Sequence, residues 1–350
     1  MGKYSIYITN ESQERLADIS GLCIKRRFVK KRNRPEVIDI TLSVDGISNY
    51  LNDIGLDISD VFRVNENEIH IYRYDTQEIA GQIGYMNVGL DSQTAISVTA
   101  FGWLELFNQR VTGILQTYTS EDIGAIMWDL IDTSQNEANG NFGITQGTIQ
   151  TSRDADRTYE YKNIKDALIQ LTEVNNAPDL EFTPTKVFNV YYPKIGTKRD
   201  DIVFTYPGNI IEIGFSQDGS KMGNQIIASG SGFGSDRLLS IAEDTSLQQG
   251  YGLRQKVVQY PDVSIADTLD SHAEEELRTW SRPFTIPRLR INGNAYPEYG
   301  SYDVGDEVLI QSQKYQRLLE PALGYYRIES IAVTIDENDF ESVDLELSKV

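Results

Sequence analysis

The stretch from Pro261 to Leu347 constrains the fold most, because its hydrophobic period changes once and then stays changed. Ile265, Leu269, Ala273, Leu277 and Trp280 recur at the spacing of one helix face, with Glu274, Glu275, Glu276 and Arg278 on the other. Ser264, with Asp267 three residues on, is placed to cap this helix, and Pro283 to stop it, which predicts a helix over about 262–282. Beyond it the period is two. Phe284 and Ile286, Leu289 and Ile291, and Val343, Leu345 and Leu347 alternate, and Glu307 to Ile310 reads as a further strand. The parity slips at Pro287-Arg288 and again between Ile328 and Ile331. A one-residue slip turns every later side chain to the other face, so a bulge or corner is expected at each point. Strands with corners, separated by turns at Tyr302 to Asp306 and Asp336 to Asp339, predict a small antiparallel barrel that buries its own edges.

The N-terminal part repeats the pattern. Tyr4, Ile6 and Ile8 alternate, Leu22 to Val29 is a second strand, and Val37 to Val44 a third, closed by Asp45-Gly46. Phe62 to Tyr72 reads as a hairpin across Asn65-Glu66-Asn67, and Ile79 to Val88, Ala95 to Phe101 and Leu104 to Val111 follow as strands. Helical signals then intervene. Thr119 to Asp122 starts a helix with Ile123, Ile126, Met127, Leu130 and Ile131 on its apolar face, and Asn163 caps another with Ile164, Ala167, Leu168 and Leu171. Strands return from Leu180 to Phe182 and from Val187 through Ser229. The expected division is a first barrel over 1–112 completed by 200–235, a mixed insertion with two helices over 113–199, and the helix with a second barrel over 236–350. The fold class is therefore mainly β with α insertions: two antiparallel β-barrels and a mixed α/β insertion.

Several function classes are disfavoured. A net charge of −20 argues against wrapping duplex DNA, whose phosphates are held by Lys and Arg. The single cysteine, Cys23, allows no internal disulfide. No apolar segment has signal-peptide or membrane-span character, so synthesis in a cytoplasm is expected. His70, expected to point outward from its strand, and His272, expected beside the acidic helix face, are the only histidines, and no zinc-ligand spacing or Cys-His pair stands out. Gly230-Ser231-Gly232-Phe233-Gly234 fits neither a dinucleotide fingerprint nor a phosphate loop, and reads as a strand end where two backbones approach closely. Asp200-Asp201 and Asp336 to Asp339 fit hairpin turns better than calcium loops. Trp128 and Trp280 fall on apolar helical faces, so core packing is expected there rather than sugar stacking. No catalytic, cofactor or metal residue is assigned, and no enzymatic activity is expected. One cluster stands out: Lys25, Arg26, Arg27, Lys30, Lys31 and Arg32, with Arg34 beyond them. It reads as an interface candidate, either contacting an acidic partner or phosphate, or forming a basic strand edge that resists pairing or docks on an acidic neighbouring subunit.

From about residue 60 onward the order of pieces resembles the tail hub proteins of long-tailed bacteriophages. The resemblance rests on Ile79 to Gly84 with Ile96 to Gly102 and Leu106 to Arg110, on Tyr161 to Thr172, on Gly223 to Gly230, and on Arg282 to Pro287 with Val304 to Val308 and Tyr326 to Ile328. The basic run is not a feature expected from that family. The resemblance implies two tail-tube-like barrels per chain and a homotrimeric hub ring at the tail tip or baseplate. Such a ring adapts the sixfold tail tube to a threefold spike or fibre. Implied partners are a tail tube or distal tail protein, a tape measure protein and a central spike or tail fibre, with genomic DNA passing through an acidic channel without specific binding. It implies a virion protein made in the host cytoplasm, and a component of a contractile or gene-transfer particle shares this role. The alternative is a glycan-binding or glycan-cleaving β protein of the virion. The hub reading asks for two separately closed modules rather than one continuous sheet.

Overall fold

The computed structural model describes residues 3–89, 95–281 and 284–349. The alternating residues of the N-terminal part form β1 (Tyr4–Thr9), β2 (Arg15–Asp18), β3 (Cys23–Lys31) and β4 (Val37–Ser43). Ser43 does not lead into a turn. Its side chain accepts the Gly46 N–H and caps helix α1 (Val44–Ile54), which Gly55 closes at φ 75°. A short α2 (Ile58–Val61) follows, so the hairpin expected over 62–72 is displaced. It forms instead between β5 (Glu68–Arg73) and β6 (Thr76–Gly89), where Tyr74 and Asp75 both adopt the positive φ of a two-residue hairpin turn. β7 (Ala95–Phe101) completes this part. The strand expected over 104–111 is a 3-10 helix, Trp103–Gln109, that buries Trp103, Leu104 and Phe107 on one side.

The insertion has its own core. It comprises β8 (Gln116–Asp122), α3 (Ile123–Gln135), β9 (Thr145–Ile149), β10 (Asp154–Tyr159), α4 (Ile164–Leu171), β11 (Asp179–Phe182) and β12 (Val187–Tyr191). Asn163 caps α4, as expected from sequence, and Asp122 caps α3, although residues 119–122, expected to start that helix, are the end of β8. Their apolar faces meet the 3-10 helix residues, Phe188 and Val190 in one buried cluster.

The chain then returns to the main sheet through β13 (Lys198–Tyr206) and β14 (Ile210–Asp218). A small unit follows, with β15 (Gln225–Ser229) between β16 (Leu239–Glu243) and β17 (Gln255–Gln259), α5 (Thr245–Tyr251), and α6 (Ala266–Trp280) packed across the sheet through Leu269 and Ala273. Ile265 holds the N-cap position of α6 and Ser264 makes no capping bond. The helix ends at Trp280, and Arg282 and Pro283 lie outside the described residues. The remaining strands are β18 (Phe284–Asn292), β19 (Glu307–Ser312), β20 (Gly324–Ile335) and β21 (Glu341–Lys349).

Strand β20 joins the two ends of the chain. Along one edge it pairs with β21. Its other edge is shared: Gly324–Arg327 pair with β19, and Ser330–Ile335 pair with residues 26–31 of β3. The predicted parity slip is a bulge between Ile328 and Ser330 that re-aims the strand from one partner to the other. At Pro287-Arg288, by contrast, pairing with β14 runs without a shift, and the irregularity falls opposite Arg290, at Ile211.

The result is mainly antiparallel β structure with helical insertions, in one 13-stranded sheet running β14-β18-β21-β20-β3-β4-β7-β6-β5-β1-β2, with β13 and β19 branching from β20. Two expectations are corrected. The N- and C-terminal modules are not separately closed barrels, because β20 is long enough to pair beyond β19 and recruit β3, and one apolar cluster runs through both. Nor does 200–235 complete the N-terminal module. β13 runs parallel on β19, β14 pairs with β18, and β15 belongs to the small unit with α6.

Candidate functional site

The basic run lies on β3, where the two β modules and the insertion meet, and most of it is matched to carboxylates within the chain. Arg26 reaches Asp339 at 2.9 Å and donates to the Asp336 carbonyl, and Arg27 pairs with Asp39 at 3.2 Å. Lys30 bridges Glu78 at 2.8 Å and Asp303 at 3.1 Å. Arg32 bridges Asp179 at 2.6 Å and Glu329 at 2.7 Å, and Arg34 reaches Glu173 at 2.7 Å. Lys25 and Lys31 remain exposed. Three of these carboxylates, on Asp303, Glu329 and Asp339, belong to loops and strands of the C-terminal module, as does the Asp336 carbonyl; Asp179 and Glu173 belong to the insertion. Most of the run is therefore matched within its own chain rather than by the acidic neighbouring subunit of the sequence reading.

Asp179 is the centre of the seam. It is buried, and it accepts from Arg32 at 2.6 Å, Arg327 at 2.6 Å, the Asn33 amide at 2.7 Å and the Ile195 N–H at 2.9 Å. Burial opposes its charge, but the two guanidiniums and these donors outweigh it and hold its pKa below the usual carboxylate value. One carboxylate thus ties the insertion to β3 and β20. The backbone beside it is equally close. Gly196 has φ 78°, and a Cβ there would lie 2.2 Å from the Gly305 carbonyl carbon, so only glycine fits.

A second polar tie is formed by Lys186, whose ammonium bonds buried Glu68 at 2.6 Å and lies over Trp103. Glu68 also meets His70 Nε2 at 3.0 Å, which is shared with the Thr9 hydroxyl at 3.0 Å, while Gln77 reaches Nδ1 at 2.8 Å. His70 is thus buried, not outward. So is His272, which stacks on Tyr260 with ring centroids 4.0 Å apart and lies 3.3 Å from Arg157. Neither seam network was visible in sequence, since Asp179 lies 147 residues from Arg32 and 148 from Arg327, and Lys186 lies 118 from Glu68.

Between the modules and the insertion lies an open cleft of about 630 Å³, lined by Lys30, Glu36, Glu78, Trp103, Glu181 and Asp303 among others. The remaining sequence candidates are structural. Asp336 accepts the Asn338 and Phe340 N–H groups of a hairpin turn, and Asp200 pairs with Lys198. A Cβ at Gly230 would lie 2.6 Å from the Val263 carbonyl, the close approach expected of the glycine loop. Trp103 is buried, Trp128 stacks on Phe188, and Trp280 packs under Lys256. Among the described residues no group of His, Cys, Asp and Glu could hold a metal ion.

No family model matches the sequence, and no curated protein matches it. Solved structures do match. A tail protein from Neisseria meningitidis MC58 superposes with a TM-score of 0.67 at 11% identity, covering 100% of this chain and 97% of that one. The 43 kDa tail protein of prophage MuSo2 from Shewanella oneidensis gives 0.68 at 10% identity, with 99% and 98% covered. This chain has the fold of phage tail proteins. The tail-protein fold here also matches an Escherichia coli type VI secretion system component described as similar to T4 bacteriophage tail proteins gp27 and gp5, at a TM-score of 0.53 and 9% identity, covering 94% of this chain and 73% of that one. Near-complete coverage means that the insertion and the small α6 unit are part of the tail-protein fold rather than additions to it.

Proposed function

We propose that this chain is a non-enzymatic structural subunit of a phage tail, made in the host cytoplasm and built into the tail tip or baseplate as a homotrimeric hub. The observation that carries the reading is the tail-protein fold, matched over nearly the whole chain by solved phage tail proteins; its two β modules share one sheet through the pairing of β3 with β20. The sequence reading asked for separately closed modules. The chain does not meet that requirement, so the hub reading rests on the tail-protein fold and not on the separation of its modules. Three such chains give six modules in a ring, matching a sixfold tail tube on one face and a threefold spike or fibre on the other. Heterologous contacts that close after three steps produce this symmetry. A tail tube or distal tail protein, a tape measure protein and a central spike or fibre are the partners of such a ring. The charge of −20 supports a channel that repels DNA and lets it pass. The test is mass measurement in solution and in assembled particles. Three copies are expected, and a monomer that stays monomeric in the particle rejects the hub.

A further inference from the structure

The sheet of the small unit is covered on one face only. Ala228, Ala242 and Val258 pack with Leu269 and Ala273 of α6. The intervening positions Ile227, Ile241 and Val257 stand in register as a row across all three strands on the opposite face. Ile241 is 61% exposed, Val257 62%, and Leu239 on the same face 61%. A sheet with one solvated face alternates apolar with polar residues. A row that is apolar on every strand has the pattern of a sheet covered twice. The charges here are as distinctive. Among the strand residues of this face Glu243 alone is charged, and its carboxylate accepts from Gln225 and Gln248. Residues 219–265 carry four cations and four carboxylates, so the net charge of −20 lies on the rest of the chain. Lys221 and Arg254 at one end of the sheet and Arg237 at the other are exposed, and none of them makes an ion pair among the described residues.

We propose that a second copy of this chain docks on this face, its acidic surface meeting the Lys221, Arg237 and Arg254 rim, a contact that rests on the hub reading and names the surface it uses. Charge selects the occupant. An apolar centre with a basic rim takes an acidic partner, and the chain outside residues 219–265 is such a surface. Two copies stacked face on face would bring two sets of unpaired cations together. The contact is therefore heterologous, the small unit of one copy on a different part of the next, which is the kind of contact that closes a ring. Size agrees. Three strands of five residues cover about 14 by 17 Å. That is less than half of the roughly 800 Å² a standard interface takes from each partner, so the row is the centre of a contact that extends beyond it. The extension is at hand in the fold. The chain enters the small unit from Asp218 of β14 and leaves it for Phe284 of β18, and these two residues are paired in register. The unit thus grows from the end of the strand whose other edge has no strand partner among the described residues.

The experiment is light scattering of the full chain over a concentration series, for wild type, for Ile241→Asp, and for Arg237→Glu combined with Arg254→Glu. The substituted side chains are exposed, so circular dichroism is expected to match wild type in both variants. Wild type is expected to associate, and each variant to raise the dissociation constant by at least about tenfold, since each sets carboxylates against an acidic partner. Added salt is expected to weaken the wild-type contact, because its rim charges are solvent-exposed. If Ile241→Asp does not fold, the arginine variant decides, as neither guanidinium makes an ion pair among the described residues. Association of the folded variants equal to wild type overturns the proposal and leaves the hub reading to another surface. A wild type that stays monomeric throughout the series also overturns it, while the copy number in assembled particles decides the hub reading separately.

Discussion

Arg32 and Asp179 stand 147 residues apart in sequence and 2.6 Å apart in space. Asp179 is shared with Arg327, so removing it leaves two guanidiniums facing each other at the seam with one carboxylate, Glu329, between them. Breaking a buried pair from one side costs about 3–5 kcal/mol. Asp179→Ala is expected to lower the free energy of unfolding by that amount in denaturant titration, and Asp179→Ala combined with Arg327→Met to recover part of it. Because the Asp179 pKa is held below its unfolded value, its contribution is present above the ordinary carboxylate range and is lost as pH falls through the folded pKa.

His272 gives a second pH dependence with a separate origin. Burial, and then the Arg157 charge 3.3 Å away, push its pKa down from 6.5 to about 3. The unfolded chain binds a proton at this histidine that the folded chain refuses. Stability therefore falls as pH drops from 6.5 towards 3, by on the order of 1.4 kcal/mol per unit. Denaturation of His272→Phe, which keeps the stacking on Tyr260, should lose this slope between pH 6 and 4. A slope equal to wild type would place the acid sensitivity elsewhere.

Gly196 and Gly305 show how tightly the seam closes in its backbone. A Cβ on Gly196 would overlap the Gly305 carbonyl, and its φ of 78° disfavours any L side chain. Overpacking and strain of this kind cost about 1–3 kcal/mol each. Gly196→Ala should lower stability by at least that much, measured by thermal unfolding, whereas Gly219→Ala, with open space around the Cβ position, should be within about 0.5 kcal/mol of wild type.

Local signals were legible in the sequence. Alternation located β1, β4 and β21, caps at Asp122 and Asn163 located α3 and α4, and the parity break near Ile328 located the bulge on β20. What failed was ambiguous or non-local. Asp45-Gly46 after an alternating run looks like a turn, but Ile47 and Leu51 recur four apart and bury one side of α1, which the strand reading overlooked. Pairing partners cannot be read from one strand's own pattern. β3 shows alternation whether its neighbour is β2 or β20, so the joining of the modules was hidden. The basic run was seen, but its acidic partners are scattered from Asp39 to Asp339 and carry no local mark.

The open ends of the sheet make the last prediction. Among the described residues β14 pairs with β18 alone, so its other edge has no strand partner over Ile210–Asp218, and Ile211 on that strand is 51% exposed. The edge carries charges at Glu212 and Asp218 but no lysine or proline, and its exposed apolar side chain makes it a template for another strand. In a ring, that strand belongs to the neighbouring copy. Ile211→Lys places a charge where a neighbour would pack while removing no buried contact, so the monomer's stability should change by less than about 0.5 kcal/mol. Assembly should respond differently. Light scattering is expected to show the wild-type oligomer reduced to single chains in the variant, with circular dichroism unchanged. If the variant assembles as wild type does, the β14 edge faces solvent in the particle and the ring closes through another surface.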